Sequence, residues 1–220
     1  MTLVNDAGPP GRFITFEGGE GTGKSTQIAL LAEALRRRGR TVLSTREPGG
    51  SPGAEAIRRL LVEGETARWD AMTEALLHVA ARRDHLVATI WPALARGEWV
   101  LCDRFADSTL AYQGYGHGLP LETIERLHAL AVGDFTPDLT IVLDLDAGRG
   151  LARAAARLES RGGGGEDRYE RMGRGFHERL RQGFLAIAAR HPQRCLVIDA
   201  DRPREEVHAA ITAAVSTRLG

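Results

Sequence analysis

The run Arg12-Phe13-Ile14-Thr15-Phe16-Glu17, followed directly by Gly18-Gly19-Glu20-Gly21-Thr22-Gly23-Lys24-Ser25, decides the fold. Its first six residues form a short, β-prone apolar stretch, and a helical apolar period runs from Ser25 to about Arg38. The octet between them fits G-x-x-x-x-G-K-[ST] in the context where that pattern has a mechanism, after a strand and opening a helix. Glycines let consecutive backbone N–H groups turn inward around phosphate oxygens, and the helix N-terminus adds partial positive charge. Lys24 then reaches the β- and γ-phosphates of a nucleoside triphosphate, and the Ser25 hydroxyl is placed for Mg²⁺. The expected nucleotide-binding set is therefore Gly18, Gly19, Glu20, Gly21, Thr22, Gly23, Lys24, Ser25 and Thr26. Lys24 is the one lysine among 29 basic residues, all the others being arginine, so an amine stands at a position where arginine would not serve.

Working outward, Thr41–Ser44, Glu98–Cys102, Leu139–Asp144 and Cys195–Asp199 read as four further strands with helical stretches between all of them. Strands separated by helices imply right-handed crossovers and a mostly parallel sheet covered on both faces, which explains the continuously apolar Thr140-Ile141-Val142-Leu143. The expected fold class is α/β, a doubly wound five-stranded sheet. A length of 220 residues with no internal repeat and no linker suits one domain over 12–220, and Met1–Gly11, rich in Gly and Pro, reads as a flexible leader without signal-peptide character. At 43% hydrophobic and 26% charged residues, the chain can bury a core, which excludes a wholly disordered protein. No apolar run approaches a membrane span, since even His85–Ala95 is broken by Thr89 and Pro92, so a soluble, cytoplasmic protein without a membrane partner is expected. Zero net charge argues against bulk binding to nucleic acid. Cys102 and Cys195 lie in apolar, strand-like runs and read as reduced core residues.

The remaining charges are distributed less evenly. Asp103 ends the apolar run Trp99-Val100-Leu101-Cys102, where a carboxylate can hold the hydration shell of Mg²⁺, and Arg104 next to it would face the phosphates. Arg153, Arg157 and Arg161 are spaced to share one helical face, and Arg161 and Arg168 bracket Gly162–Gly165. Like charges at that spacing repel by a few tenths of a kcal/mol per pair, a cost that an anionic ligand reverses. A glycine- and arginine-rich lid over about 153–170, closing on transferring phosphates, is the sharper reading; a solvated arginine face is the plainer one. Arg36–Arg38 and Arg40 close the first helix, where cations favour the dipole, and are read as structural. A guanine-reading Asn-Lys-x-Asp cannot exist with Lys24 as the only lysine, and the size suits a small kinase.

Thr45-Arg46-Glu47-Pro48-Gly49-Gly50, Glu74-Ala75-Leu76-Leu77 with Arg82 beyond it, Asp103-Arg104-Phe105, Ser108 and Ala111-Tyr112-Gln113-Gly114 follow in order. With Pro137-Asp138-Leu139-Thr140 and Asp167-Arg168-Tyr169-Glu170, they resemble bacterial thymidylate kinase, within the P-loop nucleoside monophosphate kinases, from Phe13 to about Val207. The resemblance implies transfer of the γ-phosphoryl group of ATP to dTMP, giving dTDP and ADP, in a cytoplasmic homodimer that uses Mg²⁺ held by Ser25 and Asp103. It places Glu20 near the sugar 3′-hydroxyl, Glu47, Pro48 and Arg58 near the acceptor phosphate, and Arg82 at the carbonyl edge of thymine. Ser108 and Gln113 would line the base site, Tyr112 would pack against the deoxyribose, and Glu170 would join them from the lid. Lys24 and Arg104 would act on the phosphates together with a lid arginine, the candidates being Arg157, Arg161 and Arg168, while Arg153 would lie under the adenine. No general base is expected, because the acceptor phosphate is already anionic. Two departures stand out: His78 occupies the place where many relatives carry a stacking phenylalanine, and the lid is unusually rich in glycine. Another nucleoside monophosphate or deoxynucleoside kinase, or a nucleotide-binding module without turnover, are the alternatives. Tyr112-Gln113 and Glu47-Pro48 argue against the first; the intact Lys24, Ser25 and Asp103 argue against the second.

Overall fold

The computed structural model describes residues 11–160 and 168–220. The proposed leader up to residue 10, Arg161 and Gly162–Gly165 lie outside the described residues. The strands are β1 (Arg12–Glu17), β2 (Val42–Arg46), β3 (Trp99–Asp103), β4 (Leu139–Asp144) and β5 (Cys195–Asp199). They form one sheet in the order β2-β3-β1-β4-β5, and every neighbouring pair is parallel. The three inner strands are buried nearly end to end, because helices cover both faces, whereas the edge strands β2 and β5 retain exposed positions. β2 and β3 each extend past the apolar residues that mark them in the sequence, to Arg46 and Asp103. These two charged residues face each other in the ladder, so backbone pairing carries the strands into the polar edge.

The helices are α1 (Lys24–Arg37), α2 (Pro52–Val62), α3 (Ala71–His85), α4 (Trp91–Ala95), α5 (Ala106–Thr109), α6 (Leu121–Val132), α7 (Ala147–Ser160), α8 (Arg174–Arg190) and α9 (Arg204–Leu219). Ile28, Leu31 and Leu35 of α1 pack with Val207, Ile211 and Val215 of α9 on one face of the sheet, against Ile14, Leu101 and Ile141. On the other face, Phe176, Leu180 and Phe184 of α8 cover Val142, and Phe13, Val100 and Phe105 meet Leu86 and Ile90. Asp70 caps α3 by accepting from the N–H groups of Met72 and Thr73 at 2.9 and 3.1 Å. The two cysteines are free and buried.

Two stretches wind more widely than an α-helix, Leu86–Ile90 between α3 and α4, and Leu110–Gly116 after α5. The second carries Tyr112 and Gln113, and its wider turn aims both toward the carboxyl edge of the sheet. That edge is where a parallel doubly wound sheet opens a crevice between its loops.

Candidate functional site

A cavity of about 670 Å³ opens there, running from the glycine loop past the ends of β2 and β3 to α3 and the segment after α7. In the loop, Gly18 has φ 129° and Gly21 has φ 67°, and a Cβ on either would run into a backbone carbonyl oxygen, of Leu143 and of Gly150 respectively. Only glycine serves at both. Lys24 is buried, its Nζ donating to the carbonyl oxygens of Gly18 and Gly19 at 3.1 and 2.8 Å. Burial, reinforced by the Arg104 charge, brings its pKa down to about 8. The Ser25 Oγ donates to Asp103 Oδ2 at 3.0 Å, so a hydroxyl and a carboxylate meet at the loop. Paired hard oxygen donors of this kind, completed by phosphate oxygens and water, fit a Mg²⁺ ion.

Arg104 adopts a left-handed backbone, φ 71°, which costs a non-glycine residue about 1–2 kcal/mol. The turn is held by its N–H on the Phe16 carbonyl at 2.9 Å, and the guanidinium bridges to Gly18 O at 2.9 Å and Glu20 Oε1 at 2.8 Å. It also lies over the Tyr112 ring, 5.0 Å from the centroid, and the Tyr112 O–H donates to the same Glu20 oxygen at 2.6 Å. Burial would raise the Glu20 carboxyl, but Arg104, Lys24 and the Tyr112 hydrogen bond outweigh it and hold the pKa at about 2. Glu20 is therefore ionised at any physiological pH and keeps Arg104 in place.

At the far end, Arg82 is almost fully buried. Its Nε donates to Glu47 at 2.7 Å and its Nη2 to Phe105 O and Thr109 Oγ1 at 3.0 and 2.9 Å, and it lines the cavity from this fixed position. Glu47, preceding a cis peptide to Pro48, also meets His85 Nδ1 at 3.2 Å. Arg58 reaches Pro48 O at 2.7 Å and lines the same wall. His78 shares a hydrogen bond of 2.9 Å with the Tyr169 hydroxyl, and burial beside Arg82 pushes its pKa down to about 3, so it presents a neutral ring. Gln113 donates from Nε2 to Glu74 Oε1 at 2.7 Å, while its Oε1 is buried without a hydrogen-bond partner among the described residues. Ser108 donates to Glu17 and adjoins Arg104.

The lid arginines are dispersed by the fold. Arg157 overhangs the cavity and pairs with Glu170 at 2.7 Å. Arg153, one turn earlier, points instead to the turn before α9, at Ala200 O and Asp201. Arg168, one of the lid candidates of the sequence reading, does not line the cavity. It is fully buried, donating to the carbonyl oxygens of Leu61, Glu65 and Thr66 at 3.1, 3.0 and 2.9 Å and pairing with Glu74 at 2.5 Å. Leu61 O lies in the last turn of α2 and the Glu65 and Thr66 carbonyls in the turn after it, and one planar guanidinium satisfies all three. Sequence reasoning passed over Tyr169, whose ring also meets Tyr112 edge-on at 5.2 Å, Glu74, and Glu17. The signal for Glu17 was a carboxylate ending an otherwise apolar central strand; Tyr169 and Glu74 lay inside motifs already singled out.

The family model for thymidylate kinase matches residues 16–211, from the end of β1 through the glycine loop and the cavity-lining segments into α9. The chain belongs to the thymidylate kinase family. Relatives named thymidylate kinase include that of Caulobacter vibrioides, 57% identical over 210 residues, 96% of this chain and 98% of the relative. That of Ruegeria pomeroyi is 52% identical over 209 residues, 95% and 96% of the two chains. The crystal structure of thymidylate kinase from Ehrlichia chaffeensis matches at a TM-score of 0.73 and 37% identity, covering 94% of this chain and 99% of that one. The thymidylate kinase family is one of phosphotransferases, and the glycine loop with Lys24 supplies the matching chemistry here. Among the described residues, no helix is long and apolar enough to cross a membrane.

Proposed function

We propose that this member of the thymidylate kinase family transfers the γ-phosphoryl group of ATP to dTMP, forming dTDP and ADP, with Mg²⁺, as a cytoplasmic homodimer. The observation that carries the choice of acceptor is the orientation of Gln113. Glu74 accepts from the Gln113 Nε2, which leaves the Gln113 Oε1 as an unpaired acceptor on a residue that lines the cavity, and we assign that acceptor to the base. The guanidinium of Arg82, fixed by Glu47, supplies donors beside it. A donor N–H flanked by carbonyls, as in thymine and uracil, complements that pair. Cytosine offers an acceptor at the same ring position, leaving a buried group unpaired at about 1–3 kcal/mol, or roughly 10- to 100-fold. The neutral His78 ring and Tyr169 close the pocket around the base, and Ser108 lies on its phosphate side.

Within this reading, Glu20 lies by the sugar 3′-hydroxyl and Tyr112 against the deoxyribose, while Arg58 and the Glu47–Pro48 turn face the acceptor phosphate. Lys24, Arg104 and Arg157 surround the transferring group, with Arg153 toward the adenine. Ser25 and Asp103 would hold Mg²⁺, which when bound neutralises charge on the phosphate oxygens. The chain's own task is placement and charge: it aligns donor and acceptor phosphates for in-line attack and keeps cations on the equatorial oxygens.

Coupled ADP release with Mg·ATP against dTMP, dUMP, dCMP, dGMP, AMP and thymidine tests the proposal. Turnover should be highest with dTMP, about tenfold or more lower with dUMP for the missing methyl, and near background with the others. Equal turnover of dCMP or AMP would discard the base assignments, and ATP hydrolysis without an acceptor would favour a module that does not phosphorylate nucleotides. The homodimer is supported by the half-exposed Leu76 and Val87, and by Met72 one turn before Leu76 on α3. Sedimentation equilibrium should return twice the chain mass for the wild type and the single mass for Leu76→Glu.

A further inference from the structure

Glu17 closes β1 and is fully buried, outside the cavity wall. One carboxylate oxygen accepts the Phe105 N–H at 2.8 Å and the other accepts the Ser108 hydroxyl at 2.5 Å. Both contacts fall just after Arg104 in the chain, on the first turn that follows it. The phenyl side chain of Phe105 cannot cap α5, so an acceptor from the neighbouring strand takes the orphan N–H at the helix start. The left-handed Arg104 is thus clamped from both sides by β1, through the Phe16 carbonyl and the Glu17 carboxylate. We propose that Glu17 is a positioning residue for phosphoryl transfer, pinning the turn over 103–108 so that the Arg104 guanidinium stays between Gly18 and Glu20. This rests on the phosphoryl-transfer reading above.

The electrostatic setting agrees with the geometry. Burial, and then the Asp107 carboxylate, push the Glu17 carboxyl up to about 8, against the Ser108 hydrogen bond and the attraction of Arg104. The other charged or titratable groups around it are Lys24, the Cys102 thiol, and Arg194, which holds Asp107 through two hydrogen bonds. A carboxyl raised in the folded state binds its proton more tightly there than in the unfolded chain. Its contribution to stability is therefore full below pH 4.5 and is lost as pH rises toward 8.

The test compares wild type, Glu17→Gln and Glu17→Ala in kcat, in KM for ATP and dTMP, and in melting temperature from pH 5 to 8. Glu17→Gln keeps an acceptor for Phe105 and offers an amide to which the Ser108 hydroxyl can turn. It should stay within about tenfold of wild-type kcat and flatten the fall in melting temperature with pH. Glu17→Ala removes both acceptors and should lower kcat by about 100-fold with KM for ATP little changed, the cost expected of a misplaced charge. Should the alanine variant not fold, Glu17→Asp, which withdraws the carboxylate by one methylene, takes its place with the same expected loss. Wild-type kcat in folded Glu17→Ala or Glu17→Asp, or a loss no larger than the unfolded fraction, overturns the proposal. A crystal structure of Glu17→Asp reads it without turnover: Arg104 retained at its left-handed φ would overturn it, whereas a wild type inert toward dTMP overturns the functional reading alone.

Discussion

Replacing Lys24 with methionine should lower kcat for dTMP phosphorylation by about 10³-fold while leaving the protein folded. The amine is buried and donates to the carbonyls of its own loop, so it is already at the centre around which the loop N–H groups turn. Removing one preorganised donor from a site that stabilises developing charge costs about 10² to 10³ in kcat. The loop places a full positive charge here, so the upper end applies. Stability should hold or rise, because the folded state lowers the Lys24 pKa: below about pH 8, burial makes its charge a cost, which methionine of similar length removes. Lys24→Arg should not restore turnover, since a planar, delocalised guanidinium does not reproduce the compact ammonium charge that sits on the Gly18 and Gly19 carbonyls. Steady-state kinetics and thermal melts on the two variants separate these effects.

Arg157 and Arg168 should fail in opposite ways when changed to alanine. Arg157 is half exposed and its pair with Glu170 is worth well under about 1 kcal/mol, so its loss should shift the melting temperature little. If it stabilises the transferring phosphoryl group as an arginine finger does, kcat should drop by about 10³-fold or more. Arg168 is fully buried on Glu74 and three carbonyl oxygens. Its removal leaves a buried carboxylate without its cation, which costs about 3–5 kcal/mol. For a chain of this size that corresponds to a fall of about 10 °C in melting temperature. Because Glu74 also orients Gln113, KM for dTMP should rise in whatever fraction remains folded. A large kcat loss at unchanged melting temperature in Arg168→Ala would return Arg168 to the phosphates.

The division between what was legible and what was not follows the range of the interactions. The strand, glycine loop and helix from Arg12 to Arg37 could be read directly, since the parts of a phosphate loop are neighbours in the chain and its mechanism is written in local spacing. The alternation of strands and helices likewise set the parallel α/β class, because crossover handedness leaves few other arrangements. The edges of β2 and β3 were less legible, as backbone pairing carries Arg46 and Asp103 into the ladder without any apolar signal. Arg157 and Arg168 were not separable in sequence, each a cation near the glycine run, and Arg153 was set apart only by the family resemblance. What separates them is the set of acceptors that distant segments bring to each: Asp201 after β5 for Arg153, the open cavity and Glu170 for Arg157, the end of α2 and Glu74 for Arg168. Residue types and local order were enough to place the glycine loop between β1 and α1. Which arginine lines the cavity was decided by the tertiary structure, since a guanidinium goes to whichever unpaired oxygens the packed chain leaves around it, and those come from residues up to about a hundred positions away.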